Sequence, residues 1–136
     1  DLAAVGRTLS LSELETMHRL KTGALIRASV LMAAACAPDL SPAAAQALDH
    51  YAQDIGLAFQ IQDDILDVEG EVADLGKQTG ADAARLKPTY PSLMGMAEAK
   101  SRAQALKQRS LGWLEGVPGE RSLLHWLACY AVDRRV

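Results

Sequence analysis

The chain has few cysteines, few aromatic residues and no excess of positive charge. Its 136 residues include 14 Lys and Arg against 17 Asp and Glu, a net charge of −3, so a nucleic-acid partner is not expected. Its two cysteines, Cys36 and Cys129, lie far apart, which favours free core thiols in a reducing, cytoplasmic compartment over a disulfide. No apolar run is long enough to cross a bilayer. The sequence is therefore expected to form a globular domain, since 49% of its residues are hydrophobic and can build a core.

No segment alternates apolar and polar residues with a period of two, so no β-strand is expected. The predicted fold class is therefore all-α, a bundle of long helices. Capping and helix-breaking residues set the expected elements. In chain order these are a helix to Cys36 that starts at one of two overlapping capping boxes, Ser10–Glu13 or Ser12–Glu15, a helix from Pro42 to Val68, a loop over 69–88, a helix from Pro91 to Trp113, a turn over 116–119 and a helix from Glu120 to Arg134.

One stretch of the second predicted helix, residues 56–68, combines apolar side chains with three carboxylates. At about 100° per residue, five side chains fall within one arc of roughly 140° around this helix. They are Phe59, Gln60, Asp63, Asp64 and Asp67. Like charges four residues apart destabilise a helix unless something compensates them, and Mg²⁺ with diphosphate oxygens would do so. The alternative is a solvated acidic helix face, but such a face does not need an aromatic ring and an amide beside it.

Three lysines could serve the same chemistry. Lys21 and Thr22 precede Gly23 inside the first predicted helix, where a glycine costs about 1 kcal/mol against alanine and so indicates a close approach. Lys77 and Lys87 lie in the loop after the three acids, where they could hold anions. Each of these residues could equally be an ordinary surface side chain.

Two histidines, His18 and His50, stand among polar neighbours and are expected at the surface rather than as ligands. Residues 1–8 are typical of a connector, and the chain starts at Asp1 without a methionine. We therefore expect the sequence to be a piece of a longer protein.

Taken together, these segments resemble the C-terminal half of a trans-isoprenyl diphosphate synthase, of the short-chain bacterial farnesyl (geranylgeranyl) diphosphate synthase type. Residues 18–25, reading HRLKTGAL, resemble the family's lysine–threonine motif. Residues 56–70, reading GLAFQIQDDILDVEG, resemble its second aspartate-rich motif, and 75–77 with 87–91 resemble the loop that follows. Residues 1–136 would then form the C-terminal half of the synthase domain, without the N-terminal half and its first aspartate-rich motif.

The resemblance implies a helical cavity in which Mg²⁺ holds an allylic diphosphate beside isopentenyl diphosphate for chain elongation, most simply to farnesyl diphosphate. It implies that Asp63 binds Mg²⁺ directly and that Asp64 and Asp67 complete or support the site. It implies substrate diphosphate contacts for Lys21, Lys77 and Lys87, places Thr22 and Gln60 near the reacting carbons, and has Phe59 line the tail or isopentenyl pocket. The complete protein would be a homodimer, and the 136 residues alone a poor catalyst.

Two other functions stay open. A non-catalytic prenyl-synthase-like subunit could bind a partner synthase, although such a subunit has no physical need for three clustered carboxylates. A terpene cyclase shares the fold and the ionisation chemistry, but the lysine motifs resemble those of synthases more. At the chain end, Arg134 and Arg135 resemble the basic C-terminus that closes over isopentenyl diphosphate in some family members, and a solvated helix end explains them equally well.

Overall fold

The computed structural model describes residues 9–75 and 88–135, with side chains described for 9–70 and 88–135. Every regular element in these ranges is helical, so the predicted all-α class is confirmed. In chain order the elements are α1 (Leu11–His18), a π-helical segment (Arg19–Gly23), α2 (Ala24–Ala35), α3 (Pro42–Leu75), α4 (Tyr90–Met94), α5 (Met96–Leu114) and α6 (Ser122–Asp133).

The first predicted helix exists but is not uniform, because the π-helical segment interrupts it between α1 and α2. It begins where the capping signal predicts. The Oγ of Ser10 accepts a hydrogen bond from the Glu13 N–H, and the Glu13 carboxylate accepts one from the Ser10 N–H. π-Helical turns are rare and frequently lie at functional sites. This one contains Lys21 and Thr22.

Helix α3 is the central element and contacts α2, α4, α5, α6 and the π-helical segment. Its N-terminus is capped by Ser41, whose Oγ accepts from the Ala44 N–H at 3.2 Å. The helix continues to Leu75, so the predicted loop over 69–88 is wrong at its beginning, and residues 76–87 lie outside the described residues. Leu57, Ile61 and Ile65 of α3 are fully buried and form the centre of the core.

The predicted helix from Pro91 to Trp113 is split at Gly95, whose φ of +88° only glycine adopts readily, and this break separates α4 from α5. Helix α5 packs along α3. The Asp54 carboxylate of α3 accepts hydrogen bonds from the Arg109 guanidinium at 2.6 and 2.7 Å and from the Trp113 indole at 3.0 Å. The last predicted helix is observed as α6, which begins two residues after the predicted start at Glu120 and ends one residue before the predicted end at Arg134.

Both cysteines carry free thiols, as expected, but Cys36 is exposed rather than part of the core, because α2 ends at Ala35. No described helix has an apolar stretch long enough to span a membrane.

Candidate active site

The five predicted side chains of α3 do not share one environment. Asp63 and Asp67 are exposed and Phe59 is partly buried, whereas Gln60 and Asp64 are buried, at 6% and 3% exposed. The predicted arc therefore divides at its middle: the half with Phe59, Asp63 and Asp67 faces outward, and the other half faces α1 and Tyr90. The exposed strip of α3 is narrower than the arc because other helices cover most of its circumference.

On the outward side, Asp63 is paired with the end of the chain. The Arg134 Nη2 donates to the Asp63 Oδ1 at 2.6 Å, and the guanidinium carbon lies 4.0 Å from the centre of the Phe59 ring. The Asp63 side chain is half exposed and the Arg134 side chain is 16% exposed. The backbone oxygen of Arg134 also accepts from the Gln62 amide at 3.4 Å, which holds the chain end against α3. A carboxylate and an aromatic face thus jointly hold a cation at the predicted metal position.

On the inward side, Asp64 holds the segment that follows residues 76–87. Its Oδ2 accepts from the Tyr90 backbone N–H at 2.9 Å. The Tyr90 ring is completely buried, and burial raises the pKa of its phenol well above the usual range. Asp64 therefore fixes the start of α4 through one oxygen, and its support of a metal site stays a prediction.

Gln60 is held by His18. The His18 Nδ1 lies 2.9 Å from the Gln60 Oε1, and its Nε2 lies 3.6 Å from the Asp64 Oδ2. His18 is 5% exposed and stacks on Tyr90, with ring centroids 5.6 Å apart. The expectation that His18 lies at the surface is wrong, because the end of α1 packs directly on the inward half of α3. His50 is partly buried and stacks on Trp113.

Lys21 and Thr22 belong to the π-helical segment, which packs on α3 at a glycine pair. A Cβ atom built on Gly56 would lie 3.1 Å from the Gly23 Cα, so the two backbones are almost in contact. The close approach predicted at Gly23 is the approach of α3. Lys21 is exposed and Thr22 is partly buried. Lys77 and Lys87, the other two predicted anion ligands, lie outside the described residues.

Magnesium fits the outward half of the site through its donor set. Among residues 9–75 and 88–135, no three His, Cys, Asp or Glu side chains converge into a ready-made metal site. Mg²⁺, however, typically takes only one or two carboxylates and completes its shell with substrate phosphate oxygens and water. Asp63 and Asp67, one helical turn apart, supply that number. The Arg134 guanidinium already marks the Asp63 carboxylate as a cation-binding group.

The sequence profile of the Polyprenyl synthetase family matches residues 1–112. The chain belongs to this family. It is 50% identical over 136 residues to the farnesyl diphosphate synthase of Haemophilus influenzae, covering 99% of this chain and 46% of that protein. The chain thus spans about half the length of this curated relative.

Two solved structures share the fold of this chain over the part that it matches. An FPP/GFPP synthase from Zymomonas mobilis superposes with a TM-score of 0.79 at 35% identity, over 97% of this chain and 42% of that one. A geranyltransferase from Helicobacter pylori, solved in complex with magnesium and isoprenyl diphosphate, superposes with a TM-score of 0.71 at 28% identity, over 98% of this chain and 43% of that one.

Three residues of this candidate site are not among the site residues predicted from the motifs. His18, Tyr90 and Arg134 each contact one of the predicted site residues. Their contacts join positions 26 to 71 residues apart in sequence, so helical periodicity cannot reveal them. Each of the three has a local signal: His18 lies three residues before Lys21 in the lysine–threonine motif, Tyr90 follows Lys87 in the loop motif, and Arg134 is one of the two arginines at the chain end that resemble the family's basic C-terminus.

Proposed function

We propose that the chain is the C-terminal half of an isoprenyl diphosphate synthase that condenses an allylic diphosphate, dimethylallyl or geranyl, with isopentenyl diphosphate in a Mg²⁺-dependent reaction. The most direct product is farnesyl diphosphate. Membership of the polyprenyl synthetase family supports this proposal, as does the name of the Haemophilus influenzae relative. The magnesium and isoprenyl diphosphate bound in the Helicobacter pylori structure support the cofactor and the substrate class.

The observation that carries the proposal is that the Asp63 carboxylate and the Phe59 ring together hold a cationic group, the Arg134 guanidinium. A solvated acidic face would not need an aromatic neighbour, whereas a carbocation-forming site needs both a cation-binding carboxylate and an apolar, electron-rich wall. Mg²⁺ bound at Asp63 and Asp67 would neutralise the diphosphate and favour its departure. Arg134 would have to leave Asp63 when the metal binds.

The remaining predicted residues are assigned by the same chemistry. When the allylic C–O bond breaks, the electron pair leaves with the diphosphate, and fixed cations stabilise the charge that develops there. We assign this task to Lys21, Lys77 and Lys87. The double bond of isopentenyl diphosphate then forms the new C–C bond and a proton is lost. The oxygens of Thr22 and Gln60 would stabilise the positive charge on carbon.

The proposal extends to the complete protein. The chain spans 46% of its Haemophilus influenzae relative, so the first aspartate-rich motif and a homodimer interface would come from sequence outside these 136 residues. The two free thiols fit a reducing, cytoplasmic compartment.

A chimera tests the proposal. The chain replaces the matching part of the Haemophilus influenzae synthase, and the condensation of radiolabelled isopentenyl diphosphate with geranyl diphosphate is measured with and without Mg²⁺. We expect turnover that requires Mg²⁺ and that Asp63→Ala lowers by roughly 10²- to 10³-fold, as for the loss of other groups that stabilise developing charge. Asp39→Ala, a change at an exposed acid between α2 and α3, is the matched control.

An inactive chimera that is folded would contradict the catalytic proposal and favour the non-catalytic subunit. Equal activities of Asp63→Ala and Asp39→Ala would remove Asp63 from the metal site. Conversion of geranyl diphosphate to a cyclic hydrocarbon without consumption of isopentenyl diphosphate would indicate a terpene cyclase. The 136-residue chain assayed alone should show no turnover.

A further inference from the structure

His18 is a buried polar residue that the proposed reaction does not yet use. It ends α1 and immediately precedes the π-helical segment that carries Lys21 and Thr22. Its ring contacts Gln60 and Asp64 of α3 and stacks on Tyr90. The three candidate motifs of the site therefore meet at one imidazole.

The hydrogen bond to Gln60 has a defined direction. A carboxamide oxygen only accepts hydrogen bonds, so with the Gln60 Oε1 2.9 Å from the His18 Nδ1, this orientation of the amide requires the tautomer in which Nδ1 carries the proton and donates. The oxygen has two lone pairs, and one of them stays available after this bond forms. The N–H of His18 therefore sets the direction in which the second lone pair points.

Core packing alone does not explain this histidine. The His18 Nε2 is buried without a hydrogen-bond partner among the described residues, and so is the Tyr90 hydroxyl. A buried polar atom without a partner destabilises the fold, and a phenylalanine at the same position would avoid that cost. Phenylalanine would also preserve the stacking on Tyr90. What it would lose is the Nδ1–H bond to Gln60 and the approach of the His18 Nε2 to the Asp64 Oδ2, at 3.6 Å.

We propose that His18 is a positioning residue for prenyl transfer, whose Nδ1–H holds the Gln60 carboxamide so that its oxygen faces the reacting carbons. This inference rests on the proposed function. His18 does not touch substrate. It acts through Gln60.

Kinetics of the chimera test the role through two substitutions. His18→Phe keeps the ring and removes the donor, and His18→Asn places an amide N–H near the position of Nδ1. We expect His18→Phe to lower kcat by roughly 10- to 100-fold, because a misplaced group near the reacting atoms costs this much, with KM for both diphosphates changed less than threefold. His18→Asn should recover most of the kcat. His125→Phe, the same change at an exposed histidine of α6, is the matched control and should leave kcat unchanged.

A double-mutant cycle separates positioning from stability. If His18 acts through Gln60, His18→Phe should lower kcat less than threefold in a Gln60→Ala background. The same 10- to 100-fold loss in both backgrounds would overturn the proposal, as would a loss that appears only in KM.

A spectroscopic measurement on the unmodified 136-residue chain keeps the proposal falsifiable if a variant does not fold. With ¹⁵N-labelled histidine, NMR should find His18 protonated at Nδ1 with a slowly exchanging proton. An unprotonated Nδ1 would overturn the proposal. An inactive chimera with a protonated, slowly exchanging Nδ1 would instead place the failure in the proposed function.

Discussion

The glycine pair that joins the π-helical segment to α3 can be tested by adding one methyl group. Gly56 is buried in the middle of α3, and a Cβ atom there would lie 3.1 Å from the Gly23 Cα and 3.7 Å from its carbonyl oxygen. Both atoms belong to backbone, which cannot rotate away as a flexible side chain can. Gly56→Ala must therefore push α3 and the π-helical segment apart by a few tenths of an ångström.

The expected free-energy change has two opposing parts. Alanine in place of glycine stabilises a helix interior by about 1 kcal/mol. Forcing a methyl group into a filled contact costs about 1–3 kcal/mol. Gly112 of α5 supplies the first part alone, because a Cβ atom there meets nothing within 4 Å. Gly112→Ala should stabilise the protein by about 1 kcal/mol, whereas Gly56→Ala should be neutral or destabilise it by up to about 2 kcal/mol.

Urea unfolding followed by circular dichroism measures the difference. We expect the free energy of unfolding of Gly56→Ala to lie about 1–3 kcal/mol below that of Gly112→Ala. In the chimera, Gly56→Ala should also lower turnover, since the displaced segment carries Lys21 and Thr22. If both substitutions stabilise the chain equally, the two backbones do not approach as described, and the reasoning fails.

Two further predictions concern Tyr51 and Arg134. Burial raises the pKa of Tyr51 to about 12, so between pH 10 and 12 the phenol loses its proton in the unfolded chain but keeps it in the folded one. The free energy of unfolding should therefore fall by about 2–3 kcal/mol over this range. In urea titrations, Tyr51→Phe should show a fall that is smaller by this amount. An identical alkaline loss in Tyr51→Phe would refute this. Arg134→Ala should tighten calorimetric Mg²⁺ binding about two- to fivefold, because a partly exposed ion pair such as that with Asp63 contributes up to about 1 kcal/mol. Arg135→Ala is the control, and equal affinities of the two variants would refute competition.

The helices could be predicted because their signals are local. Ser10 and Ser41 cap helices within four residues of their own positions, and both contacts are present. The break at Gly95 was missed because a single glycine with positive φ, rather than a proline, ends α4 there. The continuation of α3 beyond Val68 was missed because glycine and charged residues do not end a helix that neighbouring helices support.

The candidate site could be predicted in composition but not in arrangement. Spacing along α3 correctly orders the five predicted side chains around the helix, from Phe59 through Asp63 to Asp64. It cannot locate the boundary between exposed and buried, because that boundary depends on α1 and on Tyr90, which are distant in sequence. The same limitation explains the wrong expectation for His18. Its neighbours in sequence are polar, but in the folded chain Gln60 and Tyr90 cover its ring.

The neighbouring carboxylates Asp63 and Asp64 lie in different environments, one exposed and one buried. Asp63 lies on the exposed strip, and its partner Arg134 also borders a cavity of about 570 Å³ between α3, α5 and the chain end. Asp64 is 3% exposed, and its Oδ2 accepts from the Tyr90 N–H at the start of α4. Adjacent acids on a helix point about 100° apart, so one motif can both bind a metal and anchor a wall of the site. Asp63 therefore has the position of a metal ligand in the proposed reaction, whereas the observed role of Asp64 is to hold the start of α4, and its support of a metal site stays a prediction.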